Sequence, residues 1–273
     1  MTSTSSAVVE RALTLVEWLA RNPGTHGVRE IAGELAMSKS AVHRLLVTLD
    51  RRGWVRKTPD GLKYALGLTT LHLGSEVLNG ITFLEAAAPI ARELAQVTGE
   101  AIYLGVPDGT RVVIVHKVAG SHPIRFDESV GARAYLHTAA VGKAILASFK
   151  DSEIERVITE TDLPARTSAT ITDPAQLRRE IERIRAQGFA ESNEENYVGA
   201  LGIAAPIYDW SGQVAGAITV AGPKARMRSV KANIARQVRD SAGRISAELG
   251  FRPEARASAS PRAARRVRAI RGE

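Results

Sequence analysis

The chain has 273 residues, enough for two domains, and no cysteine, which excludes disulfides, thiolate catalysis and cysteine-ligated zinc. No apolar run approaches the ~20 residues that cross a bilayer and the opening MTSTSSAVVE has no basic leader, so a cytoplasmic protein with no membrane contact is expected. The net charge of +8 is uneven: residues 1–66 hold 10 Lys/Arg against 6 Asp/Glu, residues 251–273 hold 7 against 2, and the middle is close to neutral, which points to a polyanion met by the ends.

Ala7 to Arg21 reads as a first helix, with Val8, Ala12, Leu13, Leu15, Val16 and Leu19 on a broad apolar face, stopped by Asn22-Pro23-Gly24. Val28 to Leu35 is a short second helix with Ile31, Ala32 and Leu35 inward and no strong cap. A turn at Ala36-Met37-Ser38 leads to a third, Ser38 to Arg52, capped by Ser38 and ended at Gly53, where a left-handed residue is favoured. Val42, Leu45, Leu46 and Leu49 share its inner face. Ser40, Arg44, Val47 and Arg51 point the opposite way, with His43 and Thr48 on the flanks. A recognition helix needs that short, polar, basic N-terminal half to reach base edges in the major groove. Trp54–Lys57 and Leu62–Leu66 then flank Thr58-Pro59-Asp60-Gly61, a hairpin signal. Trp54, Tyr64 and Leu66 are expected to pack on the helices and Arg56, Lys57 and Lys63 to face out. Three helices and a basic hairpin make residues 1–66 a winged helix-turn-helix, and double-stranded DNA the expected partner. Arg44 and Ser40, with His43 beside them, are the candidates for base edges, since arginine on guanine is the commonest specific contact. Lys39, Arg51, Arg56, Lys57 and Lys63 are candidates for phosphates.

Gly67 to Asn79, within a linker over 67–81, reads as a connecting helix whose Leu68, Leu71, Leu73, Val77 and Leu78 can meet a second subunit. Gly80 interrupts, and Thr82 to Thr98 is a longer helix. Ala101–Val106 and Arg111–Val118 read as strands around Pro107-Asp108-Gly109, with Ile124–Phe126 as a third. Thr138–Lys150 is an alanine-rich helix whose first amides make a candidate anion cradle. Asp151–Thr159 is another helix, and Asp173 with Pro174 starts one that runs to Gly188. Gly202–Tyr208 and Val214–Val220 are strands. Arg228–Leu249 is a last helix with Val230, Ile234, Val238, Ala242 and Ile245 inward. Hairpins with segregated helices make residues 82–250 an α+β domain with an antiparallel sheet. Residues 251–273, arginine and small residues without apolar period, read as a basic disordered tail.

No catalytic machinery is visible. The six histidines form no i,i+4 pair and no acidic partner stands at metal-site spacing, there is no G-x-S-x-G, and Gly142-Lys143 lacks the glycine and Ser/Thr of a phosphate loop. No cofactor and no metal are expected. An enzyme fused to a DNA-binding module stays as an alternative, as does a DNA-binding protein whose C-terminal domain only oligomerises.

The chain resembles the isocitrate-lyase-regulator (IclR) family of bacterial transcription factors over residues ~7 to 250. The residues that carry the resemblance are Val9-Glu10-Arg11-Ala12-Leu13, Ser38 to Leu46, Tyr64 to Gly67, Leu136 to Ala144, Gly188-Phe189-Ala190, Glu194-Glu195, Gly199 to Asp209 and Ala217 to Pro223. It implies a GAF-like effector-binding domain and either a homodimer through the DNA-binding domains or, as often in the family, a dimer of dimers through the effector domains. It also implies a small-molecule pocket lined by Ala139, Ala140 and Val141, by Ser192, Glu194 and Glu195, by Gly202, and by Thr219 and Ala221. Well-studied members carry an acidic residue in place of Ser192 and a serine in place of Ala221, so this pocket has fewer polar groups and leaves room for an aromatic effector beside a carboxylate. The function implied is a ligand-responsive regulator, more often a repressor, on a pseudo-palindromic operator.

Overall fold

The structure, a computed structural model, describes residues 6–79 and 83–252, the side chains of 75–79 excepted. The chain divides into two compact units, residues 1–81 and 82–273. The basic stretch from 253 onward, Gly80 and the side chains of Val77 and Leu78 lie outside what is described.

In the N-terminal unit the order is α1 (Ala7–Arg21), β1 (His26–Gly27), α2 (Val28–Glu34), α3 (Lys39–Arg51), β2 (Val55–Lys57), β3 (Lys63–Leu66) and α4 (Leu68–Asn79). Leu15, Leu19, Ile31, Ala32, Val42, Leu46, Val55 and Tyr64 form one core, with Leu35, Leu45, Leu49 and Leu66 packed against it and Trp54 half-buried. The three strands pair antiparallel in the order β1-β3-β2, so the wing gains a third strand that two residues of sequence did not announce. The broad face expected of α1 is narrower: Val8 is 65% and Leu13 52% exposed, and only Leu15 and Leu19 are buried. Between α2 and α3 the non-glycine Ala36 takes the left-handed conformation, φ +50, which the tight turn demands.

The C-terminal unit is built on a six-stranded antiparallel sheet in the order β6-β5-β4-β9-β8-β7. Its strands are β4 (Ala101–Asp108), β5 (Arg111–Val118), β6 (Arg133–Tyr135), β7 (Ala190–Asn193), β8 (Ala200–Tyr208) and β9 (Val214–Pro223). Helices α5 (Phe83–Thr98) and α10 (Lys231–Glu248) pack on each other and on this sheet. On its other face lies α6 (Ala140–Leu146), with α7 (Asp151–Thr161) and α8 (Pro174–Gln187) completing that core; α9 (Lys224–Met227) is a short turn after β9. Coverage on both faces explains why β9, VAGAITVAGP, shows no polar alternation.

Three sequence expectations change here, and one strand is added that the sequence reading did not assign. Residues 124–126 form no strand; the third strand on that edge is β6, paired with β5 through Val112 and Ala134. The alanine-rich helix spans only Ala140–Leu146, and every one of its residues is buried. The last helix starts at Lys231, leaving Val230 48% exposed. Strand β7, whose residues AESN carry no strand signal, is held by its ladder to β8.

Candidate functional sites

The first candidate surface belongs to α3. The Ser38 hydroxyl accepts from the Ala41 amide at 3.2 Å, and Gly53 closes the helix end at φ +70, where a Cβ would meet Thr69 Oγ1 at 2.6 Å. Burial of Val42 and Leu46 fixes the rotation of the helix. That rotation leaves Lys39, Ser40, His43, Arg44 and Arg51 exposed. In the wing, Arg56, Lys57 and Lys63 are exposed too, while Val55 and Tyr64 pin the strands to the core. The Lys57 ammonium lies 5.6 Å from the Tyr64 ring centre, a cation–π contact that steadies it at the wing surface. The wing tip is internally tied: Asp60 accepts from the Thr58 hydroxyl and from the Leu62 amide, and these bonds hold its carboxyl below the ordinary value. His26 has an acidic partner the sequence reading did not find, with its Nδ1 2.7 Å from Glu30 Oε1.

The second candidate is a cavity of about 100 Å³ between the sheet and α6. Of the nine positions implied by resemblance, Ala139, Ala140, Val141, Ser192, Gly202, Thr219 and Ala221 line it. They meet because β7, β8 and β9 present alternate residues to one face, with Ser192 opposite Gly202 and Gly202 opposite Ala221 in register. Glu194 and Glu195 do not line it. Glu194, at φ +64, pairs with Lys224 and accepts from the Gly199 amide at 2.9 Å. Glu195 turns to Lys143, accepting at 2.7 and 2.6 Å, and Lys143 also reaches Glu180 at 3.1 Å. Lys143 is fully buried. Burial pushes the Glu195 carboxyl up against the pull of that ammonium; burial acts the same way on Glu180, but Arg183 and Lys143 outweigh it and hold Glu180 down.

Other lining groups were not anticipated: Tyr103, Phe126, Glu128, Arg133, Asn196 and Tyr197. Phe126 and Tyr197 stack with ring centres 6.2 Å apart. Burial and a hydrogen bond to Glu128 push the Tyr197 phenol up to about 12. Tyr103 Oη donates to the Phe126 carbonyl at 2.8 Å and accepts from the Glu128 amide at 3.2 Å, so the 119–132 segment is braced across the cavity. The phase of Ala101 and Tyr103 on β4 was the available signal. Gly142, the centre of the expected cradle, packs instead on Leu136, where a Cβ would lie 2.8 Å from its Cα.

Two family models match the chain: "IclR helix-turn-helix domain" over residues 8–59 and "Bacterial transcriptional regulator IclR C-terminal" over residues 75–247. A similar curated protein is HTH-type transcriptional regulator BhcR of Paracoccus denitrificans, 35% identical across 93% of this chain and 90% of that one. Among solved structures, the Thermotoga maritima IclR is 30% identical with a TM-score of 0.75, covering 89% of this chain and 98% of that one. An IclR homolog from Microbacterium hydrocarbonoxydans, complexed with 4-hydroxybenzoate, is 22% identical with a TM-score of 0.77 over 89% of this chain and 99% of that one.

Proposed function

The chain belongs to the IclR family of bacterial transcriptional regulators, and on that premise we propose that it is a cytoplasmic, ligand-responsive repressor rather than an enzyme. One winged helix of each subunit in a homodimer reads one half of a pseudo-palindromic operator. The observation that carries this reading is the common exposure of Ser40, His43 and Arg44 on α3 beside Arg56, Lys57 and Lys63 on the wing. Arg44, with Ser40 and His43, contacts base edges; Lys39, Arg51 and the wing cations contact phosphates. Leu68 at 78% and Leu71 at 66% exposure on α4 support a second subunit there. The proposed domain limits are 1–66 for DNA binding, 67–81 for the linker and 82–250 for effector binding, with 251–273 as a basic tail adding phosphate contacts.

The effector is a small organic molecule in the α6 cavity, held by Ala139, Ala140, Val141, Ser192, Gly202, Thr219 and Ala221. Its size matches the cavity of about 100 Å³, close to an engineered cavity of ~150 Å³ that holds benzene. The complex of the Microbacterium homolog with 4-hydroxybenzoate supports a small aromatic ligand. Effector occupancy alters operator binding only as far as the ligand prefers one of two states of the dimer. The test is Arg44→Ala on the promoter beside the chain's own gene. A loss of about 1–3 kcal/mol on that duplex with a much smaller loss on random DNA is expected. Equal losses on both remove Arg44 from base reading.

A further inference from the structure

We infer that the C-terminal unit has a second small-molecule site, at the sheet edge where β7 ends, and that it takes an aromatic carboxylate of about two rings. Strand β7 pairs with β8 only as far as Ala190 with Ala204, whereas β8 runs on beside β9 to Tyr208. Gly188, left-handed at φ +78, ends α8 and lets the chain join the sheet only at that point. A cavity of about 480 Å³ opens there, between residues 205–208 of β8, the end of α8 and α10. It is larger than the α6 cavity and lies within the ~300–1,000 Å³ of ordinary ligand sites. The strand edge itself does not suit a peptide. Pro206 has no amide to pair, and the Tyr208 amide donates to Ser246 Oγ on α10 at 3.0 Å.

Helix α10 shapes this cavity by what it omits. Gly243 stands inside an 18-residue helix, where glycine is less favourable than any residue but proline, yet a Cβ there would meet nothing within 4 Å. The space that a side chain would fill is that of the cavity it lines. The rings of Tyr208 and Phe251, with centres 5.1 Å apart, supply an aromatic wall. The Arg239 side chain lies over Gly188, its Nε 3.5 Å from where a Cβ would stand. Among the described residues no carboxylate pairs with Arg239, and no side chain lining the cavity is acidic. Arg185, the other lining cation, is engaged by Asp151 and Glu182. A cation without a partner beside aromatic and apolar walls fits an anionic group carried on rings. The chain's own residues 251–273, with 7 Lys/Arg against 2 Asp/Glu, carry the wrong sign for it.

The experiment titrates the full chain calorimetrically with 2-naphthoate and with 2-naphthamide, its uncharged isostere. Benzene occupies a cavity of ~150 Å³, so a two-ring probe is too large for the α6 cavity of about 100 Å³. Naphthoate should bind about 3- to 5-fold more tightly than the amide, the worth of a partly exposed ion pair, and Arg239→Gln should abolish that difference. Gly243→Leu should weaken both probes about 10-fold or more, while melting no lower than the parent because leucine is the better helix former. Naphthoate binding that neither substitution touches lies elsewhere and overturns the site, as does no binding at all. A changed oligomeric state of Gly243→Leu in sedimentation would make the cavity a contact between subunits and overturn it too.

Discussion

Every buried polar side chain among the described residues lies in the C-terminal unit: Glu100, His137, Thr138, Lys143, Ser192, Glu195, Thr219, Ser241 and Ser246. The N-terminal unit has an apolar core and keeps its polar chemistry outside, in local pairs such as Ser38 with Ala41 and His26 with Glu30. The contrast is the one that the proposed partners would require. A duplex is large and charged and is met by side chains that stand in water, so the scaffold beneath needs only to be rigid. A small molecule is met inside, where hydrogen bonds are stronger but each unpaired group is costly, so the walls must be satisfied by their own framework first.

Lys143 is where the two strategies differ most. Its ammonium is fully buried and depends on Glu195 and Glu180. Lys143→Met leaves Glu195 a buried carboxylate without its partner, and a loss of about 3–5 kcal/mol in urea unfolding of the C-terminal unit is expected. Adding Glu195→Leu removes that orphaned charge, while Glu180 keeps Arg183 at 2.7 Å, so the double variant should recover most of the loss. A single variant as stable as the parent would mean that the triad contributes nothing net to the unit.

The same contrast decides what was legible in the sequence. Helix α3 showed its plan because it is buried on one side only: Val42 and Leu46 in, Ser40 and Arg44 out, a cap at Ser38 and a stop at Gly53. Helix α6 is buried on all sides, so TAAVGKAILA has no period, and Lys143 entered the sequence reading only as part of a rejected phosphate loop. Glu194 and Glu195 stood together in the sequence, yet the left-handed backbone at Glu194 sends one to Lys224 and the other to Lys143. The apolar pair Ile124 and Phe126 suggested a strand; instead Phe126 lines the cavity and the Ile124 carbonyl accepts from Arg226, which is itself held bidentately by Glu100. Those roles depend on partners about 100 residues away, beyond the reach of local pattern.

Smaller effects sharpen the N-terminal side of the comparison. Ser38→Ala removes a cap from α3 and should cost about 1 kcal/mol of N-terminal stability, read by denaturant unfolding, with the C-terminal transition unmoved. Lys57→Gln and Arg56→Gln should each flatten the slope of log affinity against log salt by about 0.9 on any duplex, which over 50 to 200 mM salt is about a 3-fold change. An unchanged slope would take the wing off the phosphates.

Acid should separate the two units with the gentlest perturbation. Burial holds His137 below its ordinary value near 6.5, with its Nε2 3.2 Å from the Pro164 carbonyl and its Nδ1 buried without a partner. Between the folded and unfolded values the unfolded chain binds the extra proton, so the C-terminal unit loses stability as the pH falls from about 6.5. His26 runs the other way. The hydrogen bond to Glu30 raises it, so its contribution is complete below about 6.5 and is lost as the pH rises through the folded value. Unfolding of the two units followed separately between pH 5.5 and 7.5 should therefore show opposite slopes. His137→Gln should reduce the C-terminal slope, the remainder coming from His116, which burial also holds down, and His26→Gln should flatten the N-terminal one. Parallel slopes, or slopes untouched by these substitutions, would mean that His137 and His26 are not what distinguishes the units toward protons.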